Sequence, residues 1–118
     1  MMKTKVLEIG ALVPDFKEES LLVLFNETAP LELKDISVIH RFEEQPENAL
    51  QQGTTLVIGD KEYTIQKVGE EANPNFESLG HVSIYFKDDE TEEILPGAVL
   101  VTPSDFPELN IGDSIEVK

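Results

Sequence analysis

A dominant period of two, carried by eight short apolar-rich segments, constrains this chain more than anything else in it. "KVLEIG" (5–10), "LLVLF" (21–25), "ISVIH" (36–40), "TTLVIG" (54–59), "YTIQKVG" (63–69), "HVSIYF" (81–86), "AVLVT" (98–102) and "SIEVK" (114–118) are rich in β-branched residues and bounded by Gly, Pro, Asn or Asp. Such runs fit a half-buried pleated surface and read as strands. Only Gly59-Asp60 separates two of them, a Gly-X pair suited to a type II′ hairpin whose first position needs a positive φ. "PDFKEES" (14–20) and "PENALQQG" (46–53) each have room for one helical turn but lack the apolar stripe of a longer helix. The expected fold is all-β, a small closed or partly open barrel with at most one or two short helical turns. Closure removes the exposed edges that make short-strand chains aggregate. "VIGDKEYTIQKVG" and "LNIGDSIEVK" share an Ile-Gly-Asp turn, a likeness short enough for chance to account for it.

The 118 residues, 40% of them hydrophobic, support one core, so residues 1–118 are read as a single domain. Nine basic residues stand against 24 acidic ones, a formal charge of -15. Nucleic-acid phosphates are repelled by such a surface, whereas a basic protein is drawn to it. With no cysteine, disulfides and thiolate metal sites are excluded. "MMKTKVLEIG" alternates instead of forming the apolar core of a signal peptide, and no run approaches the ~18 apolar residues of a spanning helix. These features read as a soluble, cytoplasmic protein without membrane insertion. The acidic run within "FKDDETEEILPG" (86–97) lacks EF-hand spacing and reads as a solvated loop.

Phosphate-binding loops, nucleophile elbows, zinc-protease helices and dinucleotide fingerprints are all missing from the sequence, and no cofactor or metal is expected. The versatile groups left are His40 and His81, since a neutral imidazole is a nucleophile near pH 7. His40 closes "ISVI" and His81 opens "VSIYF" after Leu79-Gly80, so each ring is expected at a rigid strand terminus, a better mount than a loop. A histidine at a strand end is also commonly a ring hydrogen-bonded at a core margin. Two histidines this far apart among scattered acids show no metal-ligand spacing.

"VIHRFEEQPENALQQGTTLVIGDKEYTIQKVGEEANPNFESLGHVSIYF", with "LPGAVLV" and the closing "IGDSIEV", resembles the glucitol/sorbitol-specific IIA component of the bacterial phosphoenolpyruvate-dependent sugar phosphotransferase system. The resemblance rests on Ile39-His40, on Leu79-Gly80-His81-Val82 and on Pro96-Gly97. It implies that His40 is the phosphoryl acceptor. The group would arrive from the histidine-containing phosphocarrier protein and leave to the IIB component, on the way to the membrane IIC component. His81 is then a candidate orienting or assisting residue. Where relatives often carry a further histidine and a glycine after the acceptor, this chain has Arg41, Phe42 and Glu43.

Phosphoryl transfer passes through a loose transition state that asks mainly for in-line positioning, so one imidazole open to solvent, uncharged and rigid suffices. Its second nitrogen should donate to a fixed acceptor, His81 or a backbone carbonyl. Arg41 should point away from His40 if the strand continues past it. Gly80 and Gly53 are candidates either for backbone N–H contact with the phosphoryl oxygens or for simple turns. Glu43 and Glu44 should turn away from His40. The competing reading is a non-catalytic acidic β-barrel module that binds a basic protein.

Overall fold

In the structure, a computed structural model that describes residues 2–89 and 93–118, all eight expected strands form. They are β1 (Met2–Ile9), β2 (Leu21–Phe25), β3 (Ser37–Glu44), β4 (Thr55–Ile58), β5 (Lys61–Val68), β6 (Val82–Phe86), β7 (Ala98–Thr102) and β8 (Ser114–Val117). Together they close a barrel in the order β1-β3-β2-β6-β7-β5-β4-β8. Pairs β2–β3 and β6–β7 are parallel and the remaining pairs antiparallel. Alternation puts Met2, Thr4 and Val6 of β1, Val38 and His40 of β3, and Val82, Ile84 and Phe86 of β6 in the buried interior. The Gly59-Asp60 hairpin joins β4 to β5 through the Ile58–Lys61 pair, with Gly59 at φ 62 and Asp60 not in the left-handed region, as a II′ turn requires. Part of the acidic run, residues 90–92, lies outside the described residues.

The helical expectations need correcting. Residues 14–20 do hold a turn, the 3-10 segment Val13–Glu19. Residues 46–53 form no helix. Asn48 is left-handed at φ 50, and the Asn73 side chain takes both Leu50 backbone groups, accepting from its N–H at 2.9 Å and donating to its carbonyl at 2.9 Å. Two further helices appear, α1 (Leu31–Lys34) and α2 (Ala72–Leu79). Pro74 is tolerated in the first turn of α2, where its missing N–H has no intrahelical partner anyway. Ala72 and Phe76, four apart on one face, bury themselves against the barrel. No helix among the described residues is long and apolar enough to cross a membrane.

The barrel has a two-fold pseudosymmetry that relates β1–β4 to β5–β8. Leu22 pairs with Ile84 and Leu24 with Val82, so residues 60 positions apart exchange places (22 to 82, 24 to 84). Leu56 pairs with Val117 and Ile58 with Ile115, which exchange at 59 positions (56 to 115, 58 to 117). The repeat is thus real in topology, but its register is not that of the two Ile-Gly-Asp turns, which lie 53 apart (58 to 111). Phe76 ties α2 to the barrel with 1% of its surface exposed. Phe76→Ala should cost about 3–5 kcal/mol, read as a lowered urea midpoint with an unchanged slope.

Candidate functional site

Strand β3 continues four residues beyond His40, so its alternation sends Val38, His40 and Phe42 toward the interior and Arg41 outward. His40 sits opposite Val6 of β1 and is fully buried. The Thr4 hydroxyl, next along the same face of β1, lies 2.5 Å from Nδ1, and Nε2 lies 2.7 Å from the Gly80 carbonyl oxygen. A carbonyl can only accept, so Nε2 carries the hydrogen, and in the neutral ring Nδ1 accepts from Thr4. Phe42 meets the ring edge-on at 5.1 Å and Phe76 stacks on it at 5.9 Å. The expectation of an imidazole open to solvent is therefore overturned. The cause is register: a strand that runs through His40 presents it to the core. The expected fixed acceptor on the second nitrogen is present, as the carbonyl of Gly80.

His81 is the other face of the same corner. It precedes β6, whose inward residues are Val82, Ile84 and Phe86, so its ring goes to the outside and is partly exposed. There it packs on Phe25 at 4.5 Å, beside the small outer cluster of Phe25, Ala29 and Ile39. Nδ1 is 3.1 Å from the Leu24 carbonyl oxygen, which sets Nδ1–H as the donor in the neutral ring and leaves the lone pair on Nε2. Nε2 has no hydrogen-bond partner among the described residues.

Gly80 joins the two rings. It ends α2 as a left-handed residue at φ 62, with its N–H donating to the Phe76 carbonyl at 2.9 Å. A Cβ there would stand 2.9 Å from Asn26 Cβ and 3.0 Å from His40 Nε2, so both conformation and space demand glycine. Its N–H is thus spent on the helix, and the N–H of Gly53 on the Ile65 carbonyl at 2.8 Å, so both glycines serve turns. Asn26 also fastens this corner, donating its backbone N–H to the Leu79 carbonyl at 3.0 Å.

Arg41 grips Glu27 through two hydrogen bonds of 2.8 Å, both side chains largely exposed, and Arg41 holds the Glu27 carboxyl below the usual range. The pair borders a shallow depression over His40 that Asn26, Thr28 and Gln45 also line. Glu43 and Glu44 are exposed. Among the described residues no three His, Cys, Asp or Glu side chains converge as metal ligands would. Thr4 and the Leu24 carbonyl escaped the sequence reading. Thr4 had left a trace, as the one polar residue in the inward series Met2, Thr4, Val6.

Burial pushes the His40 imidazole below its ordinary pKa, and the hydrogen bond to Gly80 offsets this only in part. The unfolded ring therefore binds a proton at a higher pH than the folded one. Stability should fall as pH drops from about 6.5 toward the folded value, by up to about 1.4 kcal/mol per pH unit. Urea unfolding of wild type and His40→Gln between pH 5 and 8 isolates this slope, since carboxylate contributions are common to both and the variant should lack the His40 part.

The sequence profile of the family described as the phosphotransferase system (PTS) glucitol/sorbitol-specific IIA component matches residues 1–116. Two relatives named as glucitol/sorbitol-specific EIIA components, from Shigella flexneri and Escherichia coli (strain K12), are each 34% identical over 99 residues, covering 84% of this chain and 79% of the relative. A solved PTS IIA component from Enterococcus faecalis V583 superposes with a TM-score of 0.88 at 39% identity over 98% of both chains. The chain therefore belongs to the glucitol/sorbitol-specific IIA family, whose members are components of the sugar phosphotransferase system.

Proposed function

We propose that this chain is a cytoplasmic phosphoryl carrier that takes its group on a histidine from the histidine-containing phosphocarrier protein and hands it to the IIB component of a glucitol/sorbitol transporter. The observation that carries this reading is the corner itself: two imidazoles, each fixed in tautomer by a backbone carbonyl, on either side of Gly80. Such a ring needs little else, because a loose phosphoryl transition state draws on alignment more than on covalent help. The formal charge of -15 suits brief docking of a basic donor. The resemblance implies His40 as the acceptor. On that assignment the ring must first leave the Gly80 carbonyl or the Thr4 hydroxyl, because both nitrogens are engaged.

Incubation with phosphoenolpyruvate, enzyme I and the phosphocarrier should add one phosphoryl group that is labile in acid and stable in base. If the same mixture labels another IIA protein but leaves this one untouched, the carrier reading is lost and the acidic docking module takes its place. The initial transfer rate should also fall several-fold as salt rises from about 0.05 to 0.5 M, where the screening length shrinks from well above to well below 10 Å. Stopped-flow or quenched transfer at fixed protein concentration reads this directly.

A further inference from the structure

Taking the carrier reading as its base, with His40 as the acceptor, we infer that the Arg41 guanidinium receives the phosphoryl oxygens once the group is on His40, and that Glu27 occupies the guanidinium until then. The difficulty for the acceptor is charge. A phosphoryl group brings about two negative charges, and it has to be held on a chain of formal charge -15 whose Glu43 and Glu44 are exposed on the acceptor's own strand. Among the described residues that line the depression over His40, Arg41 is the one cation. Alternation along β3 sends Arg41 outward and His40 inward, but β2 leaves β3 after the Phe25–Ile39 pair. Beyond Ile39 that side of β3 carries no strand, and the gap is where both residues reach the same depression.

A guanidinium carries five N–H donors in a fixed fork that fits carboxylate and phosphoryl oxygens alike. Two of them, on Nε and Nη2, donate to the two Glu27 carboxylate oxygens at 2.8 Å each, so the fork already grips a two-oxygen anion beside His40. Lys34 acts on Glu27 only through space. The Arg41 side chain is 64% exposed and that of Glu27 49%, which makes their bond a solvated ion pair of small stability, and it yields to an anion of higher charge. Asn26 supplies a second donor. The N–H and hydroxyl of Thr28 both donate to its Oδ1, at 2.9 and 2.6 Å, which fixes the amide and leaves Nδ2 without a partner among the described residues. Asn26 and His40 Nε2 meet at Gly80, where an added Cβ would touch both. A ring that turns from its buried partners into the depression therefore finds this amide and the Arg41 fork in its walls. In the transfer, the lone pair of one His40 ring nitrogen forms the new nitrogen–phosphorus bond while the donor's nitrogen–phosphorus bond breaks, its electron pair returning to the donor imidazole. The ring proton stays on the other nitrogen. Glu27 leaves the fork as a carboxylate, so no proton changes hands, and its return competes with the phosphoryl group when that group passes to the next acceptor.

The test measures, by phosphorus NMR, how the phosphoryl group is shared at equilibrium between the phosphorylated carrier protein and this chain, for wild type, Arg41→Gln, Arg41→Lys, Glu27→Gln and the double variant of Glu27→Gln with Arg41→Gln. Arg41→Gln should lower the ratio of phosphorylated to free protein about tenfold, and Arg41→Lys about threefold, since an ammonium keeps the charge without the fork. Glu27→Gln should raise the ratio by up to about fivefold, and that gain should vanish in the double variant, because it acts by freeing Arg41. In wild type the Arg41 Nε–H signal should shift in nitrogen NMR on phosphorylation, a readout that needs no variant to fold. An unmoved Nε–H signal, a ratio for Arg41→Gln equal to that of wild type, or a Glu27→Gln gain that persists without Arg41 overturns the assignment while the carrier reading survives. A lowered urea midpoint with an unchanged ratio also overturns it, since the pair is then structural only. A wild-type protein that takes no label at all sinks both.

Discussion

The hydrogen bond from His40 Nε2–H to the Gly80 carbonyl holds together two parts of the chain that sequence leaves far apart. One side is β3, which delivers the ring into the barrel; the other is the turn between α2 and β6. An amide-type bond in water contributes little net stability, but a buried polar group left without a partner costs the full loss of its hydration. His40 and Thr4 are two of three buried polar side chains among the described residues, and each satisfies the other. Losing the Gly80 carbonyl would strand the imidazole N–H in an apolar surround of Phe42 and Phe76. The bond is therefore kept by what surrounds it, and it fixes the place from which His81 projects.

The pseudosymmetry shows how this corner was made from a fold with two equivalent ends. Val101 pairs with Ile65 as His40 pairs with Val6, so the position of His40 has Val101 as its counterpart. Ser20 ends its 3-10 segment in the left-handed region at φ 56, as Gly80 ends α2 at φ 62. The geometry of a helix end feeding a central strand is thus present twice. Only one copy carries the histidines. In the other half the interior is sealed with aromatic packing of Tyr63, Phe86 and Phe106, which supports the barrel without offering a nitrogen.

Much of the fold was legible from the order of residues. The strands are closed by turn formers, and burial alternates along β1, β6 and β8, whereas β2, β4 and β7 are buried along nearly their whole length and read as short continuous apolar runs. The hairpin at Gly59 was readable because only a positive φ suits that place. Helix α2 was not, since "ANPNFESL" has just two inward residues and a proline, too weak a stripe to outweigh the polar context. The false turn at 46–53 failed for a different reason: its backbone partner is the amide of Asn73, far along the chain.

Sequence by itself determined the strands, the hairpin, the acidic surface and the two histidines as the residues to watch, because each follows from local periodicity, turn chemistry or composition. Tertiary structure alone decided which imidazole faces inward, which nitrogen of each ring holds its proton, and that a single glycine links them. Strand alternation can name two faces, but only closure of the barrel says which is the interior. Ring tautomers follow from carbonyls at Leu24 and Gly80 that long-range pairing brings to them, and no local pattern encodes those distances.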